Sequence, residues 1–218
     1  TGMDGGPEEW FRRRALTLDM ALVEVAALIA RERQDRSRTL DLSFFTIAEL
    51  PHELGDLTWL KSLDCSGTLV TDLTPLSGLG ALTQLNCSRT QVTDLTPFSG
   101  LGALIKLACS RTPVTDLTPL SGLGALTQLD CSWTQVADLT PLSGLGALTD
   151  LSCFGTQVRD LSPLSGLGGL TQLSCYDAPV SDLSPIKAMP SLKILVCHDL
   201  PQCPVPAEVL SQHHGDNC

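Results

Sequence analysis

The sequence predicts an α/β solenoid, one short unit stacked about eight times with a single parallel sheet along one side. Three observations predict it. Cys65, Cys87, Cys109, Cys131, Cys153, Cys175 and Cys197 fall 22 residues apart without a slip. Pro75, Pro97, Pro119, Pro141, Pro163 and Pro185 keep the same period, and so do Asp72, Asp94, Asp116, Asp138, Asp160 and Asp182. One such unit cannot bury its own apolar side, so the core has to come from stacking.

As a frame the unit reads Leu-x-x-Leu-x-Cys-x-x-Thr-x-Val-x-Asp-Leu-Thr/Ser-Pro-Leu-x-x-Leu. Its length lies in the leucine-rich-repeat range of about 20 to 29 residues. The expected fold is therefore a leucine-rich-repeat right-handed superhelix with a parallel concave β-sheet, short 3₁₀ turns on the convex side and an N-terminal α-helical cap.

In chain order, Thr1-Gly2 ahead of Met3 reads as a tag remnant, and residues 3–36 as the cap. Residues 7–34 carry Trp10, Phe11, Leu18, Leu22, Val25 and Ile29 mostly at helical spacing. Such a helix covers the first strand edge and the open end of the core. The run from Met20 to Ala30 is not a signal-peptide core, because Asp19 and Glu24 interrupt it and Arg31-Glu32-Arg33 follow. A native start at Met3 then leaves no export signal.

The repeats occupy residues 37–200. Leu40-Asp41-Leu42 begins the first strand, and its unit is one residue longer than the rest, with Leu50-Pro51 in the turn. Leu42 and the periodic cysteines mark eight strands, roughly 34 Å from first to last. Side chains alternate along a strand, so Leu85 and Cys87 point inward while Gln84, Asn86 and Ser88 face the sheet surface. Thr90, Thr112, Thr134 and Thr156 recur three residues after a cysteine, where their hydroxyls can satisfy backbone groups of the turn. In Thr74-Pro75-Leu76-Ser77-Gly78-Leu79-Gly80 the threonine reads as N-cap and the proline as first helical residue, and the glycines limit the helix to a short 3₁₀ turn. The Asp72 column supplies one carboxylate per unit, which suits capping better than a calcium ion needing six or more oxygens. The frame decays at Lys187, Met189, Pro190, Ser191 and Leu200, and residues 201–218 read as a tail or a linker to a missing domain.

The seven periodic cysteines occupy an inward column. Neighbouring parallel strands lie about 4.8 Å apart with parallel Cβ vectors, which is poor disulfide geometry. All seven are expected to be reduced and buried, and a thiol ladder of this kind is safest in a reducing, cytoplasmic compartment. His198, Cys203, His213, His214 and Cys218 match no zinc-ligand spacing, so no metal is expected.

The formal charge of −10, with no Lys/Arg cluster along the repeats, argues against nucleic acid as a partner, and no stretch reads as a membrane span. There is no phosphate-binding loop, no Ser/His/Asp set and no Cys-x-x-Cys pair, so the sequence predicts neither an enzyme nor a cofactor. What varies between the copies lies just after each cysteine. Arg89, Arg111, Trp133, Phe154 and Tyr176 stand there, and their aromatic and arginine character is that of an interaction hot spot rather than of drift on a free surface. In Lys193-Ile194-Leu195-Val196-Cys197 both faces are apolar; Leu195 and Cys197 belong to the core by register, so Ile194 and Val196 project onto the concave side and need a cover.

The run from Val70 to Leu85 resembles the 22-residue repeats of internalins and related bacterial proteins, with Cys and Thr columns in place of the usual Leu and Asn. The ends resemble the repeat domain that precedes the GTPase in bacterial Roco proteins, through Ala30-Arg31-Glu32-Arg33, Leu40-Asp41-Leu42-Ser43, Glu49-Leu50-Pro51-His52-Glu53-Leu54, Val205-Pro206-Ala207-Glu208-Val209-Leu210 and Asp216-Asn217-Cys218. That second resemblance implies a regulatory, protein-binding arm of a larger and often dimeric GTPase. Its partners would be another protein, the downstream domain of the same chain or a second copy in a homodimer. The alternative is an internalin-like adhesin or secreted effector that binds a host protein, disfavoured by the absent signal peptide and the thiol ladder.

Overall fold

The computed structural model describes residues 8, 12–13, 16–187 and 189–197. The expectations for Trp10, Phe11, the tag remnant, the candidate zinc residues and the tail 201–218 fall outside them.

Eight three-residue strands form one parallel sheet in sequence order: β1 (Thr39–Asp41), β2 (Ser62–Asp64), β3 (Gln84–Asn86), β4 (Lys106–Ala108), β5 (Gln128–Asp130), β6 (Asp150–Ser152), β7 (Gln172–Ser174) and β8 (Ile194–Val196). The register puts Leu40, Leu63, Leu85, Leu107, Leu129, Leu151, Leu173 and Leu195 in one row. That row is buried, and the valine column from Val70 to Val180 and the turn leucines are buried behind it. The backbone ladder runs past the strands: the N–H of each cysteine from Cys65 to Cys175 donates to a carbonyl of the next unit, as Cys109 does to Asp130 at 2.8 Å.

The cysteine corner is built by two further donors. At Cys65, Cys87 and Cys131 the thiol also reaches the carbonyl that its own N–H uses, as Cys87 Sγ does to Ala108 O at 3.4 Å. The cysteine carbonyl in turn accepts the threonine hydroxyl three residues on, with Thr90 at 2.7 Å from Cys87 O and Thr112 at 2.6 Å from Cys109 O. The same bond recurs at Thr68, Thr134 and Thr156, so the threonine column serves the turn as expected. Burial pushes the Cys65 thiol up to about 12, and desolvation raises Cys87, Cys109, Cys131 and Cys153 as well. Cys197 departs from the expected pattern. It is half-buried, because β8 has no following strand among the described residues to cover it.

On the opposite side each unit turns through 3₁₀ segments: His52–Asp56, Thr74–Leu76, Thr96–Phe98, Thr118–Leu120, Thr140–Leu142 and Ser162–Leu164. The cap residue differs from the one expected. Thr74 is already inside the turn and its hydroxyl makes no cap bond; Asp72 Oδ1 accepts both Thr74 N–H (2.8 Å) and Thr74 Oγ1–H (2.6 Å). An aspartate two residues upstream reaches the unsatisfied N–H that a residue within the turn cannot. These bonds hold the carboxyls of Asp72, Asp94, Asp116, Asp138, Asp160 and Asp182 below the usual range.

The N-terminal helix α1 spans Leu18–Asp35, starts at Thr17, whose hydroxyl accepts from Met20 N–H, and ends at Arg36 in the left-handed region. It docks through Ala21, Val25, Ile29 and Glu32. Leu18 and Leu22, expected in the apolar stripe, are 53% and 40% exposed, because the docked face is centred on the Ala21 to Ile29 side of the helix. The buried Glu32 carboxylate fixes the dock: Arg38 N–H (2.9 Å), Trp59 Nε1–H (3.1 Å) and the Ser37 hydroxyl all donate to it. Both carboxylate oxygens thereby have a donor.

Candidate protein-binding rim

From Cys65 to Cys175, the chain leaves the sheet at the residue two places after the cysteine. Arg89, Arg111, Trp133 and Asp177 have φ of 58, 56, 56 and 55°, Gly67 and Gly155 have 69 and 65°, and Phe44 in the first unit has 60°. A left-handed backbone is cheap for glycine and costs about 1–2 kcal/mol for other residues. The stack imposes it, since each N–H here donates to the next unit: Arg89 to Ser110 O, Arg111 to Ser132 O, Trp133 to Phe154 O and Gly155 to Tyr176 O, all at 2.8–2.9 Å. A conformation so tightly determined lets bulky side chains stand where glycine would be easiest, along one rim of the sheet.

Ser88 does not face the surface as the alternation suggested. It is buried, and Ser110 Oγ donates to Ser88 Oγ at 3.1 Å, because the turn to left-handed backbone swings this column toward the neighbouring unit. Where the column carries an aromatic, that group joins the rim instead. Phe154 meets Trp133 edge-on, centroids 5.5 Å apart at 78°, and the Arg111 guanidinium lies 5.5 Å from the Trp133 ring centre. A Cβ on Gly155 would come within 2.5 Å of the Trp133 ring, so the indole lies on the glycine of the next unit. Phe44 lies over Gly67 in the same manner. This aromatic-on-glycine packing was missed from the sequence; its signal is the alternation of Gly67 and Gly155 with large residues in a single column.

The structure thus brings Arg111, Trp133 and Phe154 into contact. Arg89 and Tyr176 stand exposed in flanking units, Tyr176 at 47%. Ile194 and Val196 lie elsewhere, on β8 at the C-terminal end of a shallow groove of about 580 Å³ along the sheet face, with Ile194 47% exposed. Gln84, Lys106, Gln128 and Asp150 line the middle of that groove. Among the described residues no group of three His, Cys, Asp or Glu side chains has the arrangement of a metal site, and no helix is long and apolar enough to cross a membrane.

Residues 58–100 match the family described as leucine-rich repeats, in two copies. No curated protein matches the sequence. Among solved structures, an internalin, InlF, of Listeria monocytogenes is similar at 26% identity and a TM-score of 0.76, over 81% of this chain and 55% of its own. Internalin C2 of the same organism is similar at 27% identity and a TM-score of 0.71, over 81% and 92%. The functional domain of InlJ, also from Listeria monocytogenes and described as including a cysteine ladder, shares the fold at 24% identity and a TM-score of 0.57, over 73% of this chain and 39% of its own. The chain is a leucine-rich-repeat solenoid, and it spans about half the length of InlF.

Proposed function

We propose that the protein is a non-catalytic protein-binding and regulatory module that docks its partner on the concave groove and the rim above it. The observation that carries this is the rim column. Arg89, Arg111 and Trp133 hold left-handed backbone that Gly67 and Gly155 adopt at no cost, and their side chains remain exposed. Strain retained under large exposed groups points to a use for those groups. Exposed Trp, Tyr and Arg are also the residues that dominate measured interfaces. A photo-crosslinking residue in place of Tyr176, in an extract of the cells that make the protein, should trap a discrete protein adduct. The same residue at Gly102 on the turn side should trap none; equal labelling at both positions would refute a dedicated face.

In the fuller form of this reading the module is the N-terminal arm of a cytoplasmic Roco-type GTPase, supported by the resemblance of its two end sequences and by the buried thiols. An internalin-like adhesin is the second reading, favoured by the likeness to two internalins at 26% and 27% identity. The residues encoded after Cys218 discriminate. A Gly-x-x-x-x-Gly-Lys-Ser/Thr loop supports the GTPase arm, and a wall or membrane anchor supports the adhesin.

A further inference from the structure

The rim and groove are chemically divided along the stack. Across the units of β3 and β4 the sheet-face and rim positions are Gln84, Asn86 and Arg89, then Lys106, Ala108 and Arg111, with no carboxylate among them. Arg89, Lys106 and Arg111 have no ion-pair partner among the described residues, in a chain of formal charge −10. Lys106 is flanked in register by Gln84 and Gln128, neither of which neutralises it. Arg12, Arg13, Arg31 and Arg33 near the N-terminal cap are, by contrast, all paired with acids. The next three units carry Trp133, Phe154 and Tyr176 on the rim. The carboxylates there are Asp130 and Asp150 on the face, engaged locally by Ser132 and Thr149, and Asp177 on the rim beside Tyr176.

Unpaired cations on an acidic protein attract an acidic partner, and the adjoining aromatic surface has room for apolar anchors. We propose that this rim takes an extended acidic peptide segment of a partner protein, its carboxylates over Arg89 and Arg111 and its apolar residues against Trp133, Phe154 and Tyr176. The assignment rests on the protein-binding function proposed for the rim and adds the class of partner. From the unit of Arg89 to that of Tyr176 is four steps of about 4.8 Å, roughly 19 Å. At about 3.3 Å per residue an extended segment of about six residues spans that distance.

The test is selection from a library of random dodecapeptides displayed on phage, run on the folded chain at low salt. The selected pool should be acidic, with aromatic or aliphatic residues beside the acids. Its retention should fall about tenfold or more on the double variant Arg89→Glu, Arg111→Glu, and likewise when salt is raised to about 0.5 M. Arg111→Lys, which keeps the charge, should retain most of the binding, and circular dichroism should show each variant folded. A pool that depends on Trp133 but carries no acidic excess overturns the partner assignment and leaves the docking reading intact. A pool indifferent to both Trp133→Ala and the double charge reversal, or no pool at all, overturns both.

Discussion

The same corner of the repeat recurs along the stack, and its versions in the middle and at the C-terminal end differ. Around β4 the thiol of Cys109 has no exposed surface, the Thr112 hydroxyl closes onto its carbonyl, and strands lie on both sides. Three units later Ala178 stands in the threonine place and only its backbone N–H reaches Cys175 O, at 3.2 Å. Leu183 and Leu195 are 7% and 6% exposed where their central counterparts are at 2% or less, and Cys197 is half-buried. The sequence frame is nearly the same in both places. A unit is finished by its successor in the stack, and the last one described has none.

The sharpest way to break this comparison is alkaline pH under reducing conditions. Burial raises the folded-state pKa of Cys65, Cys87, Cys109, Cys131 and Cys153. A raised pKa favours the neutral thiol in the fold, so their contribution is complete below the unfolded value of about 8.5 and is lost as pH climbs from there toward the folded value. Each stays protonated in the fold while the unfolded thiol ionises, so each is expected to cost stability as pH rises through that window. Denaturant melts between about pH 9 and 10.5 should show a slope of several protons, made shallower by Cys109→Ala. A slope of one or none would mean that the thiols are not buried together.

Leucine truncation comes next in size. Leu107→Ala should lower stability by about 3–4 kcal/mol and Leu195→Ala by about 1–2. Equal losses in urea unfolding would show that the end is packed as fully as the centre. Glycine substitutions then separate rim from turn. Gly155→Ala meets both a φ of 65° and the Trp133 ring, and should cost about 2 kcal/mol. Gly102→Ala meets nothing within 4 Å and should change stability by less than about 0.5 kcal/mol. The rim aromatics have small effects on stability as well. Trp133→Ala gives up contact with Phe154, Arg111 and Gly155 and should cost about 1 kcal/mol. Tyr176→Ala should cost about 0.5 kcal/mol or less. Each is expected to weaken partner binding by about 2 kcal/mol or more, so a thermal melt alongside a binding titration separates surface from scaffold.

The sequence by itself determined the architecture, because a strict 22-residue period leaves one way to pair the strands and alternation then assigns each column a face. The inward leucine and cysteine columns, the 3₁₀ turns after Asp72 and its equivalents, and the outward setting of Ile194 and Val196 were all legible on that basis. Tertiary structure decided whatever depends on the adjacent unit or element. It placed Trp133 on Gly155, buried Ser88 beside Ser110, left Cys197 half-covered and turned Leu18 and Leu22 of α1 outward. A repeat pattern records what a position does inside its own unit. The covering of that position comes from the neighbour, across a distance the period does not encode.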